Sequence, residues 1–116
     1  MSEDPPSEKL FALLDDEYAR TILTKTSEQP MSAKALGDAC DASLPTIYRR
    51  IDRLLECDLL VEQTEFQNEG RHYSIYEARL ERVTVELADG ALNVTMTTKE
   101  KPDPADRFTD IWEDIR

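Results

Sequence analysis

The fold is decided by the stretch Ala42-Ser43-Leu44-Pro45-Thr46-Ile47-Tyr48-Arg49-Arg50-Ile51-Asp52-Arg53-Leu54-Leu55-Glu56. Ser43 is a suitable N-cap, because its hydroxyl can accept a hydrogen bond from a free amide of the first helical turn. Pro45 is tolerated in that turn, where the missing amide has no helical partner to lose. Together these residues predict a helix over residues 43–57.

This helix has two different faces. Its apolar residues recur at i, i+4, i+7 and i+8 and are Ile47, Ile51, Leu54 and Leu55. Its polar residues are Thr46, Arg49, Arg50 and Arg53. Such a helix fits the major groove of DNA, where side chains of the first turns reach base edges and arginine bonds guanine or phosphate. The alternative is an amphipathic surface helix with a solvated basic face.

A second, shorter helix precedes it, with Ser32 as the predicted N-cap. Its inward residues are predicted to be Ala35, Leu36, Ala39 and Cys40. The pair Asp41-Ala42 then forms a tight connection to the next cap. Two short helices joined in this way make a helix-turn-helix.

Two strand-like runs follow, at residues 59–66 and 71–78, around Gln67-Asn68-Glu69-Gly70. They predict a two-stranded wing whose tip contacts phosphates or the minor groove. Arg71 is the first candidate for that contact and His72 the second. The inner residues of the wing are predicted to be Leu59, Val61, Tyr73 and Ile75.

Residues 8–78 together resemble a winged helix-turn-helix regulator of the ArsR type, especially the small acidic versions found in halophilic archaea. The segments that carry the resemblance are Leu14-Asp15-Asp16-Glu17 before Ile22-Leu23, Ala35-Leu36, Ser43 with Thr46-Ile47, Ile51 and Leu54, Asp58-Leu59-Leu60-Val61, and Gly70-Arg71 before Tyr73. The chain departs from the family at Asp41 and Asp58, which usually are glycine, and at Ala19, which often is arginine. The resemblance implies a transcriptional regulator that binds double-stranded DNA.

The formal net charge of −11 argues against a simple nucleic-acid-binding protein, since nucleic-acid-binding domains are usually basic. The charge is uneven, however: residues 43–56 hold three arginines against two carboxylates, a local charge of +1 (3 − 2), which leaves −12 for the rest. An acidic body suits a cytoplasm of very high salt, where the screening length is only ~3 Å at 1 M and repulsion from DNA is quenched. The alternative is an ordinary acidic protein that never meets DNA.

A β-hairpin is predicted around the two-residue turn Asp89-Gly90. Pairing outward from the turn puts the large apolar residues on one face, with Leu87 opposite Leu92, Val85 opposite Val94, and Val83 opposite Met96. The other face carries Glu86, Asn93, Thr84, Thr95, Arg82 and Thr97. An isolated hairpin is barely stable, so this apolar face needs a cover.

A terminal helix could supply the cover, since apolar residues recur at i, i+3, i+4 and i+7 after Pro102-Asp103-Pro104. Residues 80–116 are therefore predicted to form a homodimer interface, although a monomer whose appendage completes its own core is the alternative. The predicted interface residues are Val83, Val85, Leu87, Leu92, Val94, Phe108, Ile111, Trp112 and Ile115.

The predicted architecture is α+β: a disordered lead-in over residues 1–6, a winged helix-turn-helix over 7–79, and the hairpin with its terminal α-helix over 80–116. Without a run of 18 apolar residues, no transmembrane helix is expected, and the acidic start is no signal peptide. We therefore expect a cytoplasmic protein.

Catalytic and metal-binding patterns are missing from the sequence. It has one histidine, no nucleophile constellation and no glycine-rich phosphate loop, which argues against an enzyme. Cys40 and Cys57 are isolated and cannot make a convincing metal site, although several ArsR-type regulators sense metals through cysteine pairs. We predict no metal and no cofactor; a small-molecule effector stays undetermined.

The predicted DNA contacts follow from this architecture. Base edges or adjoining phosphates are assigned to Thr46, Tyr48, Arg49 and Arg50, and a thymine methyl to Leu44 or Pro45. Backbone contacts are assigned to Arg53, Lys34, Ser32 and Arg71. The competing hypothesis is a winged helix that binds another protein within a transcription or repair assembly.

Overall fold

The computed structural model describes residues 7–66 and 72–100. Its elements are α1 (Ser7–Asp15), α2 (Glu17–Glu28), β1 (Met31–Ser32), α3 (Ala33–Cys40), α4 (Leu44–Glu56), β2 (Leu60–Phe66), β3 (His72–Ala78), β4 (Leu80–Ala88) and β5 (Ala91–Thr98). This is the expected mixed α+β content. One sheet has the strand order β1-β3-β2, and β4 and β5 form a second, two-stranded sheet. None of the helices in this part of the chain combines the length and the apolarity needed to cross a membrane.

Side-chain caps set the beginnings of three helices. The carboxylate of Asp16 accepts from the Ala19 amide at 2.8 Å at the start of α2. The hydroxyls of Ser32 and Ser43 do the same at α3 and α4, as the sequence predicted. Each cap satisfies an amide that has no partner inside its helix, so three short helices begin at defined residues.

The core lies between the helices and the sheet β1-β3-β2. Its largest fully buried apolar side chains are Leu10, Ile22, Leu36, Ile47, Ile51, Leu54 and Leu59. The predicted stripe of α4 is confirmed for its first three members, whereas Leu55 is only half-buried.

The predicted inner face of α3 is partly wrong. Ala39 is exposed, and the buried residues are Ala33, Leu36 and Gly37. Gly37 explains the shift, because a Cβ atom built there would lie 3.2 Å from the Ala42 carbonyl oxygen and 3.8 Å from Ile47. The absence of a side chain lets α3 approach the turn and α4 closely.

The predicted inner face of the wing is also mostly wrong. Leu59 is buried, but Val61 and Ile75 are half-buried and Tyr73 is 40% exposed. The core-facing residues are Leu60, Tyr76 and Ala78, with Leu60 paired to Ala78. Because β2 begins at Leu60, the inward alternation is shifted by one residue from the expected one. The short strand β1, which no sequence pattern predicts, pairs Met31 with Tyr76.

In the described part of the chain, left-handed backbone conformations are adopted by Asp41 (φ 51°), Asp58 (φ 60°) and Asp89 (φ 53°). Asp41 and Asp58 stand where the resembled family usually has glycine. Aspartate tolerates this region better than most side chains, since its short polar group bonds locally. Both turns therefore keep a glycine-like geometry without glycine.

The hairpin has the predicted register. Its pairs include Val83 with Met96, Val85 with Val94, and Leu87 with Leu92. Exposure of the apolar face increases towards the turn: Val83, Val94 and Met96 pack against the core, whereas Val85, Leu92 and Leu87 are 49%, 59% and 80% exposed. The predicted terminal helix, with Phe108, Ile111, Trp112 and Ile115, lies outside the described residues, as do residues 1–6 and the wing tip with Arg71.

Arg79 connects the hairpin to the end of α4. Its amide donates to the Leu59 carbonyl at 2.8 Å, and its Nε donates to the Lys99 carbonyl at 3.0 Å. Its guanidinium also lies 3.6 Å from the carboxylate of Asp58. One residue therefore contacts the turn after α4 and the strand end of the hairpin, which orients the hairpin against the helical core.

Candidate nucleic-acid interface

The turn between α3 and α4 is closed by backbone hydrogen bonds. The Ala42 amide donates to the Gly37 carbonyl at 3.0 Å, and the Asp41 amide donates to Asp38 at 3.3 Å. With Asp41 in the left-handed region, this pair of bonds is the Schellman type of helix ending. Ser43 then caps α4 directly, so that residues 41–43 alone separate the two helices, as in a helix-turn-helix.

The first turns of α4 present an outer face away from the core. Leu44 and Tyr48 are 45% and 47% exposed, and Pro45 and Arg49 are exposed as well. Within residues 7–66 and 72–100, the guanidinium groups of Arg49 and Arg53 take part in no hydrogen bond or ion pair. Both cations are therefore available to a molecule from outside.

Charge changes along this outer face. Arg49 lies in the N-terminal half of α4, and Asp52, Arg53 and Glu56 follow towards its C-terminus, all of them exposed. The four charges sum to zero (2 − 2), but the single charge near the turn is positive. An anion is therefore favoured at the N-terminal half of α4 and opposed by carboxylates further along it.

Arg50 has a different environment from the one predicted. Its Nε and Nη2 atoms donate to the two carboxylate oxygens of Asp16, each at 3.2 Å. Its guanidinium carbon lies 5.6 Å from the centre of the Tyr18 ring, within the range of a cation–π contact. Only 21% of its side chain is exposed. Arg50 thus bonds α4 to the start of α2 instead of facing outward.

Asp16 has two structural roles, since it caps α2 and pairs with Arg50. Partial burial acts to raise the pKa of its carboxyl, but hydrogen bonds from Arg50 and the Ala19 amide and the Arg50 charge outweigh that effect. The net result is a pKa below the ordinary aspartate value. The carboxylate is therefore charged throughout the neutral range, so both members of the ion pair keep their charges there.

The other predicted contacts differ in accessibility. Lys34 is exposed in the first turn of α3. Ser32 and Thr46 are half-buried, with the Ser32 hydroxyl capping α3 and the Thr46 hydroxyl accepting from Ser43 at 3.0 Å. His72 begins β3, but its side chain, like Arg71, lies outside the described part of the structure.

Sequence reasoning missed the Asp16–Arg50 pair because its members are 34 positions apart. A helical projection contains a signal for it. Arg50 directly precedes Ile51 and follows Ile47 by three residues, which places it at the border of the buried stripe. Arg49 lies at the centre of the opposite face.

Both thiols are poorly disposed to ionise. Burial raises the pKa of Cys57, and burial together with the nearby charges of Asp16 and Glu17 raises that of Cys40. Both cysteines are free. Among residues 7–66 and 72–100, no three histidine, cysteine or acidic side chains converge in a way that could hold a metal ion.

Comparison with known families locates a similarity in this region. Residues 14–64 match a family model described as a helix-turn-helix domain. The match includes α2, α3 and α4 and reaches into β2, so it contains the turn and the outer face of α4. A search of curated proteins finds no match to the chain. A helix-turn-helix domain supports DNA binding and a role in transcription regulation.

Proposed function

We propose that this protein is a sequence-specific, DNA-binding transcriptional regulator of the ArsR-like type, not an enzyme, and that it inserts α4 into the major groove. The observation that carries the proposal is the outer face of α4. There Tyr48 and Arg49 are exposed and uncommitted, while the opposite stripe anchors the helix in the core. The similarity of residues 14–64 to a helix-turn-helix domain supports the same function.

Each exposed side chain has a role in this proposal. Arg49 and Tyr48 contact base edges, and Leu44 or Pro45 contacts a thymine methyl group. Lys34 and Arg53 bond phosphates and position the helix, with Ser32 and Thr46 at the margins of the interface. In the wing, Arg71 and His72 contact the flanking DNA. Arg50, which the sequence suggested as a direct contact, instead positions α4 through Asp16.

The negative net charge of the chain makes the proposed DNA binding depend on the salt concentration. The chain carries −11 overall, and the outer face of α4 is neutral in sum, so long-range attraction to DNA is absent. In molar salt the screening length falls to ~3 Å, which removes the repulsion and leaves short-range contacts to determine affinity. We therefore propose that the protein works in the cytoplasm of a halophilic cell and depends on base contacts.

A homodimer completes the proposal. The apolar face of the hairpin, formed by Val85, Leu87 and Leu92, is uncharged, is left exposed by residues 7–66 and 72–100, and can pack against the same face of a second copy. A two-fold dimer would present two copies of α4 to half-sites about one DNA turn apart. Because Arg79 orients the hairpin against the core, the spacing of the half-sites would be well defined.

The experiment is selection of duplex DNA from a random pool in molar potassium chloride. We expect enrichment of a near-palindromic motif with wild-type protein and, with Arg49→Ala, weaker enrichment of a motif that has lost the base preference read by Arg49. The matched control is Arg82→Ala, which removes an exposed arginine from the polar face of the hairpin and should select the wild-type motif. Absence of any enriched motif with folded wild-type protein would refute sequence-specific binding.

A second function is favoured by one observation, the high exposure of Leu87 and Leu92 on the hairpin. The same apolar face could bind a different protein in a transcription or repair assembly. Recovery of a stoichiometric protein partner in the absence of DNA, together with a failed DNA selection, would support that function over the regulator.

A further inference from the structure

A cleft of about 260 Å³ lies between α1 and α4, on the side of α4 that carries Arg50 and Arg53. Ala12 and Leu13 of α1 line the cleft, as does Cys57, the residue that follows α4. Leu13 and Cys57 are buried, at 4% and 2% exposure. These three side chains give the cleft an apolar floor.

The rim of the cleft is charged. Arg50 and Asp16 reach it but already neutralise each other at 3.2 Å. Lys9, Arg53 and Glu56 remain, a sum of +1 (2 − 1) in a chain of −11. Within the described residues, the ammonium of Lys9 and the guanidinium of Arg53 form no ion pair.

Lys9 also stands close to the floor of the cleft. Burial raises the pKa of the Cys57 thiol, and the charge of Lys9 is the main effect in the opposite direction. The Lys9 charge therefore reaches the floor of the cleft, where the carboxylates of Glu56 and Asp58 act on the same thiol in the opposite sense. Apolar surface beside uncommitted cations is the combination that an amphipathic anion recognises.

We propose that this cleft binds a small organic anion, a carboxylate that carries a ring or a short alkyl chain. The apolar part lies on Ala12, Leu13 and Cys57, and the carboxylate bonds Lys9 and Arg53. The size of the cleft supports this ligand class. A cavity of ~150 Å³ holds benzene, and drug-sized ligands need ~300–1,000 Å³, so the available space suits one ring with a short acidic chain.

Occupation of the cleft has a consequence for DNA, and this part rests on the proposed function. Arg53 is both a rim residue and a proposed phosphate contact on α4. A carboxylate bonded to Arg53 would remove one phosphate contact and add negative charge next to the DNA. The ligand would therefore act as an inducer that lowers operator affinity.

The test uses the full chain without DNA, so its failure and the failure of the proposed function are distinguishable. The probe is 4-phenylbutyrate in molar potassium chloride, followed by backbone amide chemical shifts. We expect saturable binding, with the largest shifts in residues 9–16 and 50–57. The uncharged isostere 4-phenyl-1-butanol should bind up to about fivefold more weakly for each exposed ion pair that it cannot form.

Two variants localise the probe. Ala12→Phe should abolish binding, because Ala12 is exposed and a ring there fills the cleft without disturbing the core. Lys9→Gln should weaken binding by up to about fivefold, as expected for one exposed ion pair. Lys25→Gln, which removes an exposed lysine in the last turn of α2, is the matched control and should leave the dissociation constant unchanged.

Four results would overturn the proposal. The first is no saturable binding by the folded protein. The second is a set of shifts centred on residues 85–92, which would place the probe on the hairpin. The third is a wild-type response in Ala12→Phe, which would place the probe outside the cleft. The fourth is binding that occurs only together with a change of oligomeric state or of Trp112 fluorescence, which would make a second copy or the terminal segment the occupant of the cleft.

Discussion

Arg49 and Arg50 are neighbours in the sequence but have opposite surroundings. An α-helix turns about 100° per residue, so Arg49 faces outward while Arg50 borders the buried stripe. The guanidinium of Arg50 is taken up by Asp16 and the ring of Tyr18, whereas that of Arg49 is uncommitted. At the residue scale, the two arginines therefore differ: Arg50 is bound within the molecule, and Arg49 is exposed and available for contact.

The double role of Asp16 can be separated by two substitutions. Asp16→Asn keeps a good cap for α2 but removes the charge that pairs with Arg50, and we expect a loss of up to about 1 kcal/mol in unfolding free energy. Asp16→Ala removes the cap as well and should cost about 1 kcal/mol more. Urea unfolding measures both losses. Equal losses for the two variants would contradict the capping role.

Acid should remove the contribution of the Asp16–Arg50 pair. The native pKa of Asp16 is lower than the ordinary aspartate value of ~3.9, so the pair stabilises the fold fully above that value and progressively less as the pH falls through the native pKa. The difference in unfolding free energy between wild type and Asp16→Asn should therefore shrink below about pH 4. A constant difference down to the acid limit of folding would argue against the ion pair.

At the element scale, the junction between α3 and α4 requires glycine at position 37 because a side chain would not fit there, and not because the backbone needs a conformation that only glycine adopts. Gly37 is buried, and an added Cβ would press on the Ala42 carbonyl at 3.2 Å, within the turn that orients α4. Gly37→Val should destabilise the fold by about 1–3 kcal/mol through overpacking. Ala39→Val, at an exposed position of the same helix, controls for helix propensity. Comparable thermal unfolding of the two variants would contradict this packing role.

Elements with a strong local pattern could be predicted from the sequence. Three signals each depend on only a few neighbouring residues: the Ser43 cap, the apolar repeat of α4 and the turn Asp89-Gly90. The sequence therefore predicts the boundaries of α4 and the register of the hairpin. The inner face of α3 depended on the space around Gly37. The face of the wing depended on a strand that begins at Leu60, directly after the left-handed turn at Asp58. Which face of α3 or of the strands is buried depends on tertiary contacts, and the local sequence pattern carries no information about those contacts.

At the scale of the whole molecule, the hairpin presents an uncharged apolar surface on an acidic chain. Leu87 and Leu92 pair across β4 and β5 and are 80% and 59% exposed. The double variant Leu87→Ser/Leu92→Ser removes little buried area from the described chain, so it should shift a dimer to a monomer with little change in the intrinsic stability of the monomer. Sedimentation in molar potassium chloride measures the shift.

The control for this surface is Thr97→Ser, a conservative change on the polar face of the same hairpin. It should leave sedimentation unchanged. A wild-type protein that is monomeric at tens of micromolar, or a double variant that stays dimeric, would exclude the hairpin as the dimer interface. DNA binding would then need another source for its two-fold symmetry.

The central claim is that α4 contacts DNA through Arg49 while Arg50 holds the helix in place. The most direct measurement compares Arg49→Ala and Arg50→Ala for operator affinity and thermal stability in the same molar potassium chloride. The account predicts that Arg49→Ala loses about 1–3 kcal/mol of specific binding with an unchanged melting temperature, whereas Arg50→Ala melts earlier as well. Undiminished operator binding by folded Arg49→Ala would contradict it.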